Sequence, residues 1–201
     1  PADVNALMAC PWYTGNGTVD NAKNELFLSV RENMKVRRFE RIEGKCVPYV
    51  HMKGKGAVLV ELETEASAEA VTELGRDVAM QICALNPQYL DESNVPAADV
   101  EKEKEIRIAT AKQDPKNAKK PDAIIEKIVV GGLGKWFKEI CLLQMPFVKD
   151  DKVSVEQHVA AVAKELGTPV TVKGYVRFEK GEGIEKRQDD LAAEVAKMVK
   201  G

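Results

Sequence analysis

The sequence predicts an α+β protein built of two related modules, each a small antiparallel sheet flanked by helices, with an antiparallel helical (coiled-coil) hairpin inserted in the second. Three observations predict it. Strand-like runs separated by glycine-containing turns lie between Lys35 and Glu63. A pair of proline-bounded helical segments follows Pro96. A helix-to-strand unit also occurs twice: the helix around Leu26 to Val30 leads to Arg38-Phe39-Glu40 and Gly44, and the helix around Val159 to Leu166 leads to Arg177-Phe178-Glu179 and Gly181. The expected division is a partial first module over 1–44, a second module over 45–96 and 148–187, the hairpin over 97–147 and a C-terminal helix over 188–201.

From the start, a short helix is expected around Val4 to Cys10, followed by a loop at Gly15-Asn16-Gly17. Asp20 is a cap-like residue before Leu26, Phe27, Val30 and Met34, which share one helical face and so predict a docked helix. Three strands are expected over Lys35 to Ile42, Cys46 to Met52 and Ala57 to Glu63, with turns at Glu43-Gly44 and Lys53-Gly54-Lys55-Gly56. Ser67 is a candidate N-cap for a helix carrying Val71, Leu74, Val78, Ile82 and Leu85, which Asn86-Pro87 stops.

Pro96 opens a charged helix that Pro115 ends, and Pro121 opens the second arm of the hairpin. On that arm Ile125, Ile128, Val129, Leu133, Trp136, Phe137 and Ile140 form an apolar stripe that needs a partner. Ser154 and Gln157 make a capping box before Val155, Val159, Val162 and Leu166, and Gly167 sits where a helix end favours glycine. Val170, Val172, Val176 and Phe178 alternate with Thr171, Lys173, Tyr175, Arg177 and Glu179, predicting a half-buried strand. Asp189 and Asp190 at its start and Lys197 and Lys200 at its end suit the dipole of a last helix.

Composition narrows the function classes. With 201 residues, 44% hydrophobic and 31% charged, the chain can bury a core. Its 30 Lys plus Arg against 32 Asp plus Glu leave a net charge of -2, which gives no electrostatic reason to expect nucleic acid or an anionic membrane. Cys10, Cys46, Cys83 and Cys141 are scattered, and His51 and His158 stand alone, so no metal-ligand spacing exists and reduced thiols are expected. No apolar run approaches the roughly 20 residues that cross a bilayer. The chain opens on Pro1 rather than Met, so a processed, trimmed or fragmentary start is expected.

Individual motifs point away from enzyme chemistry. Gly131-Gly132-Leu133-Gly134-Lys135 lacks the phosphate-loop spacing, with Val129 and Trp136 where glycine and a hydroxyl would be needed; the glycines read as weak points in a helix, costing roughly 1 kcal/mol each against alanine. Gly181-Glu182-Gly183 has Lys186 in place of a third fingerprint glycine and reads as a turn. The Glu101 to Glu105 run of alternating sign reads as a solvated helix face. His51 could serve a hydrolase as base, but no nucleophile or orienting carboxylate can be assigned to it; an interface or structural histidine is the simpler reading. No cofactor is expected.

Several segments, in this order, resemble elongation factor Ts. Arg177-Phe178-Glu179-Lys180-Gly181-Glu182-Gly183-Ile184-Glu185-Lys186, followed by Asp190-Leu191-Ala192-Ala193-Glu194-Val195-Ala196, is similar to that family's closing motif almost residue for residue. Lys138 to Leu143 with Pro146 to Asp150 resembles the exit from the family's coiled-coil hairpin, Val78 to Ile82 the helix before it, and Tyr49 to Gly54 with Gly56 to Glu61 the strand pair that starts its second module.

The resemblance implies a cytoplasmic (organellar if nuclear-encoded), non-enzymatic translation factor that binds the GTPase elongation factor Tu and promotes GDP/GTP exchange on it. It implies partner-binding positions at Tyr49, His51 and Met52, toward that partner's third domain, and at Asp190, Leu191, Glu194, Val195 and Met198 on the closing helix, toward its nucleotide-binding domain. The hairpin is a candidate surface for self-association.

Departures from the family pattern are also legible. The family's small N-terminal helical domain and its Thr-Asp-Phe-Val motif, which disturbs the partner's magnesium and phosphate site, do not occur between Pro1 and Gly201. Thr64-Glu65-Ala66 stands where short members carry that motif, without a phenyl group. Gly132 replaces a usual Arg, Met145 a usual Gln and Leu191 a usual Phe. A degenerate binding or dimerisation module is therefore the alternative to an exchange factor.

Overall fold

The computed structural model describes residues 1–117 and 120–184; the expected C-terminal helix, with Asp190, Leu191, Glu194, Val195 and Met198, lies outside them. The architecture is α+β and divides into two compact units, Pro1–Glu43 and Gly44–Gly201.

In the first unit α1 (Val4–Ala9) is capped by Asp3, whose carboxylate accepts the Ala6 N–H at 2.8 Å. The next helix, α2 (Val19–Val30), is capped by Thr18 and not by the expected Asp20: Thr18 and Asn21 form a reciprocal capping box. It ends at Arg31 in the left-handed region, φ 58°, which leaves Met34 beyond the helix. Leu26, Phe27 and Val30 are exposed rather than docked, and among the described residues of this unit none is buried. The expected strand over Lys35 to Ile42 is not formed. A strand exists only through its neighbour's backbone groups, and the described residues of this unit offer an isolated bridge, Pro11 to Thr18, and no ladder. The twofold helix-to-strand repeat therefore holds only in its later copy.

The second unit centres on an antiparallel sheet of order β1-β2-β5, with β1 (Lys45–His51), β2 (Gly56–Thr64) and β5 (Val170–Glu179). One face is covered by α3 (Thr72–Leu85) and α6 (Val155–Leu166). Val47, Val58, Val60 and Leu62 meet Leu74, Val78, Ala79 and Ile82 of α3 there, together with Leu142, Phe147, Val155, Val159, Val170 and Val172. The packing is close at Gly75, where a Cβ would stand 2.3 Å from Val47 Cγ2, so a side chain there would displace β1. Ser67 does accept the Ala70 N–H, at 3.2 Å, but α3 starts only at Thr72; it ends at Asn86, φ 48°, as expected. The capping box of α6 and its Gly167 terminus, φ 67°, form as expected.

The alternation expected for β5 is broken. Leu62 pairs with Val172 but Glu61 with Gly174, so Lys173 is an extra, bulged residue. Beyond the bulge the pleat changes parity. Val170 and Val172 share the helix-covered face with Tyr175 and Arg177, while Val176 and Phe178 turn to the opposite face beside Leu59 and Ala57.

A short hairpin, β3 (Pro146–Phe147) with β4 (Asp150–Ser154), is fixed to α3 by buried Gln81. Its amide donates to the Pro146 carbonyl at 2.9 Å and its oxygen accepts the Val148 N–H at 2.7 Å. One turn earlier, buried Asp77 accepts from Lys149 Nζ at 2.5 Å and lies 3.3 Å from His158 Nε2, whose ring stacks on Phe147 at 4.1 Å.

The helical arms are α4 (Ala97–Gln113) and α5 (Asp122–Ile140), which pack on each other, Lys112 bridging to Asp122 at 3.0 Å near the tip. Ile125, Val129, Leu133 and Ile140 of the expected stripe are buried, whereas Ile128 is exposed. The base is clamped by backbone bonds: Gln88 and Tyr89 N–H donate to the Ile140 carbonyl, Leu142 N–H to Tyr89 and Leu143 N–H to Leu90. A second apolar cluster of Val95, Ile140 and Cys141 with Tyr89, Val100, Trp136 and Phe137 fills it. Burial pushes the Cys141 thiol up to about 11.

Candidate protein-docking site

The sheet's register builds the site. His51, Gly56 and Glu179 lie side by side across β1, β2 and β5, and Tyr49, Val58 and Arg177 form the next row on the same face. The end of the sheet thus joins the sequence-predicted Tyr49 and His51 to the first residues of the Arg177 to Lys186 motif, more than a hundred positions away in the chain. Gly56 is required between them: a Cβ there would meet Cys83 Sγ at 2.9 Å and His51 Cβ at 3.8 Å.

Within the site Tyr49 Oη lies 2.9 Å from His51 Nδ1, the two ring centroids 5.8 Å apart. Tyr49 also packs against the main core, so the imidazole is held from below by an anchored phenol. The β1–β2 turn that follows is unusual. Met52 and Lys53 both have positive φ, 45° and 56°, ahead of Gly54 at 91°. A non-glycine residue in that region costs roughly 1–2 kcal/mol, and here two are consecutive. The turn is held by Gly54 and Lys55 N–H groups donating to the His51 carbonyl at 3.1 and 3.0 Å, and by the Lys180 N–H donating to the Lys55 carbonyl at 2.8 Å. Met52 in this turn is 64% exposed, and Val50, on the opposite face of β1 from Tyr49 and His51, is 66% exposed.

The motif's start is itself braced. Arg177 Nη2 bonds Glu179 Oε2 at 2.6 Å, and the Glu179 N–H donates to Glu182 Oε2 at 3.2 Å. Lys53, Lys55, Lys180, Glu179 and Glu182 place both signs of charge around this end of the sheet.

Tyr49, His51 and Met52, the positions the family resemblance implies, stand at this end of β1 and in its turn. Val50 has its own signal in its outward parity on an edge strand, whereas the link from Lys180 to Lys55 follows only from the β2–β5 register. Elsewhere, Thr64 ends β2, and Ala66, two residues beyond it, packs its methyl on the main core. Among the described residues no group of three or more His, Cys, Asp or Glu side chains could hold a metal ion, and no helix is long and apolar enough to cross a membrane.

Comparison with known proteins shows the family. The family model described as Elongation factor TS matches residues 1–182. Curated relatives named Elongation factor Ts include one from Magnetococcus marinus, 45% identical over 99% of this chain and 65% of its own length. Another from Syntrophotalea carbinolica is 45% identical over 100% and 66%, and one from Clostridium perfringens 44% identical over 92% and 60%. The chain thus spans about two thirds or less of the relatives it matches.

Proposed function

Because the chain belongs to the elongation factor Ts family, we propose that it binds the GTPase elongation factor Tu and takes part in GDP/GTP exchange on it, acting by contact rather than by covalent chemistry. The observation that carries the binding half is the turn after His51: two consecutive non-glycine residues with positive φ leave Met52 exposed directly after the Tyr49–His51 pair. Backbone outliers of this kind cluster at functional surfaces, where surrounding structure holds them in place. Met52 supplies the apolar anchor, His51 a directional polar contact, and the lysines of the rim a means of steering toward an acidic patch.

Exchange is a coupling of binding free energies. A factor that prefers the nucleotide-free partner lowers nucleotide affinity by the same factor by which nucleotide lowers its own. Contacts at this sheet end supply affinity; coupling requires a further contact that differs between the two states of the partner. Asp190, Leu191, Glu194, Val195 and Met198, the positions the family resemblance implies, are proposed to make such a contact.

A second reading, a binding or dimerisation module with little exchange activity, is favoured by two observations. Ala66 turns its methyl into the chain's own core and offers no wedge. Ile106, Ile124, Ile128 and Val130 leave apolar surface exposed on the hairpin. Co-purification with elongation factor Tu combined with release of labelled GDP separates the readings: binding with release supports the first, binding alone the second, and no binding rejects both.

A further inference from the structure

The three glycines of α5, Gly131, Gly132 and Gly134, sit at one level of the hairpin, and close packing does not require them. A Cβ built at any of the three meets nothing within 4 Å. Alanine would therefore fit at each position, and what glycine adds is backbone freedom, since it is the residue that most weakens a helix interior short of proline.

Their position relative to the hairpin's supports gives that freedom a consequence. On the core side, the base cluster of Tyr89, Val95, Val100, Trp136, Phe137, Ile140 and Cys141 and the backbone clamp between 88–90 and 140–143 hold the arms. Trp136 is the outermost α5 residue of that cluster, and the glycines come immediately beyond it. On the tip side, Ile125 and Val129 are buried but belong to neither of the two core clusters. The arms are unequal there. The sequence of α4 contains no glycine, and the arm carries Glu101–Lys104 and Glu103–Arg107 ion pairs, each at 2.5 Å, along its length. The α5 arm is the one that can yield.

We infer that Gly131 to Gly134 form a flexure point at which the tip of the hairpin bends on its clamped base, α5 opening locally while α4 stays continuous. The inference concerns the chain's own mechanics and stands whether or not the proposed partner is correct. Local opening of this kind exposes amide groups to exchange on a timescale slower than loop motion.

Hydrogen–deuterium exchange on the full chain, resolved to individual amides by NMR, tests it. Amides from Gly131 to Lys135 are expected to exchange at least about tenfold faster than those of Phe137 to Cys141 and of Ile125 to Val129. In the Gly131→Ala, Gly132→Ala, Gly134→Ala triple variant they are expected to slow by about tenfold or more, with the base amides and those of the sheet unchanged. Gly134→Ala alone, the mildest change, is expected to slow them by about fivefold should the triple variant not fold. Protection at Gly131 to Lys135 in the unsubstituted chain equal to that of Ile125 to Val129, or no slowing in either alanine variant, overturns the flexure.

Discussion

Tyr49 and His51, two residues apart on one face of an edge strand, are joined by a 2.9 Å contact from phenol oxygen to imidazole Nδ1. The contact fixes the ring's rotation, so Nε2 is the nitrogen left to meet a partner. A hydrogen bond of this kind contributes about 1 kcal/mol. Tyr49→Phe should therefore weaken binding to elongation factor Tu about fivefold, and His51→Ala by more. Binding isotherms for the two single variants and the double variant should give a coupling term close to the Tyr49→Phe effect; strict additivity would mean that the phenol does not orient the imidazole.

Gln81 is fully buried and uses both ends of its amide on the β3–β4 hairpin. Gln81→Leu keeps the volume but strands the Pro146 carbonyl and the Val148 N–H, at about 1–3 kcal/mol of lost stability. Urea denaturation should show a lower midpoint with an unchanged slope. A loss under about 0.5 kcal/mol would mean that the hairpin finds other partners.

Burial, with a smaller contribution from the Cys141 thiol, pushes the Tyr175 phenol up to about 12, and its hydroxyl donates to the Pro87 carbonyl at 2.8 Å. The folded state thus keeps a proton that the unfolded chain, at its ordinary value near 10, has lost. The resulting stability is fully present below pH 10 and disappears as pH rises from 10 to 12. Tyr175→Phe should cost about 1 kcal/mol at pH 7 and flatten the stability profile between pH 10 and 12. An identical alkaline slope in the variant would contradict this.

The hairpin span expected from sequence, 97–147, contains Leu142, Met145 and Phe147, which are buried in the main core. Excision should therefore respect the base cluster. Replacing residues 103–131 by a linker of about four Gly/Ser residues, enough to cross the 8–10 Å between packed helices, should leave cooperative urea unfolding of the sheet intact. Joining Pro96 to Val148 should abolish it. Equal stability of the two deletions would show that the 141–147 segment is dispensable.

The legible part of this fold was whatever is local. The capping box at Ser154, the stops at Asn86 and Gly167, the proline starts of both arms and the β1–β2 pair all follow from residues within one or two turns of each other. What escaped depended on distant partners. The Lys35 to Ile42 run has strand composition but no ladder in its unit, and the bulge at Lys173 is set by pairing with Glu61 and Leu62, so the even spacing of Val172, Val176 and Phe178 misassigned their faces. In the candidate site, Tyr49, His51 and Met52 are positions that family likeness implies, while the alignment of Tyr49 and His51 with Arg177 and Glu179 is a property of register that no single segment records.

Binding of residues 1–201 to elongation factor Tu through the His51 turn, as proposed, carries with it a modest coupling to the partner's nucleotide, supplied by residues 188–201. Stopped-flow release of a fluorescent GDP from elongation factor Tu at saturating chain measures that coupling directly. Each tenfold acceleration requires about 1.4 kcal/mol of differential stabilisation, and no Thr-Asp-Phe segment occurs from Pro1 to Gly201 to reach the phosphate site. The expected result is saturable binding with release accelerated by no more than about tenfold, the residue of acceleration disappearing on removal of 188–201. Acceleration by several orders of magnitude, or unaltered binding when His51 and Met52 are both replaced by alanine, would contradict it.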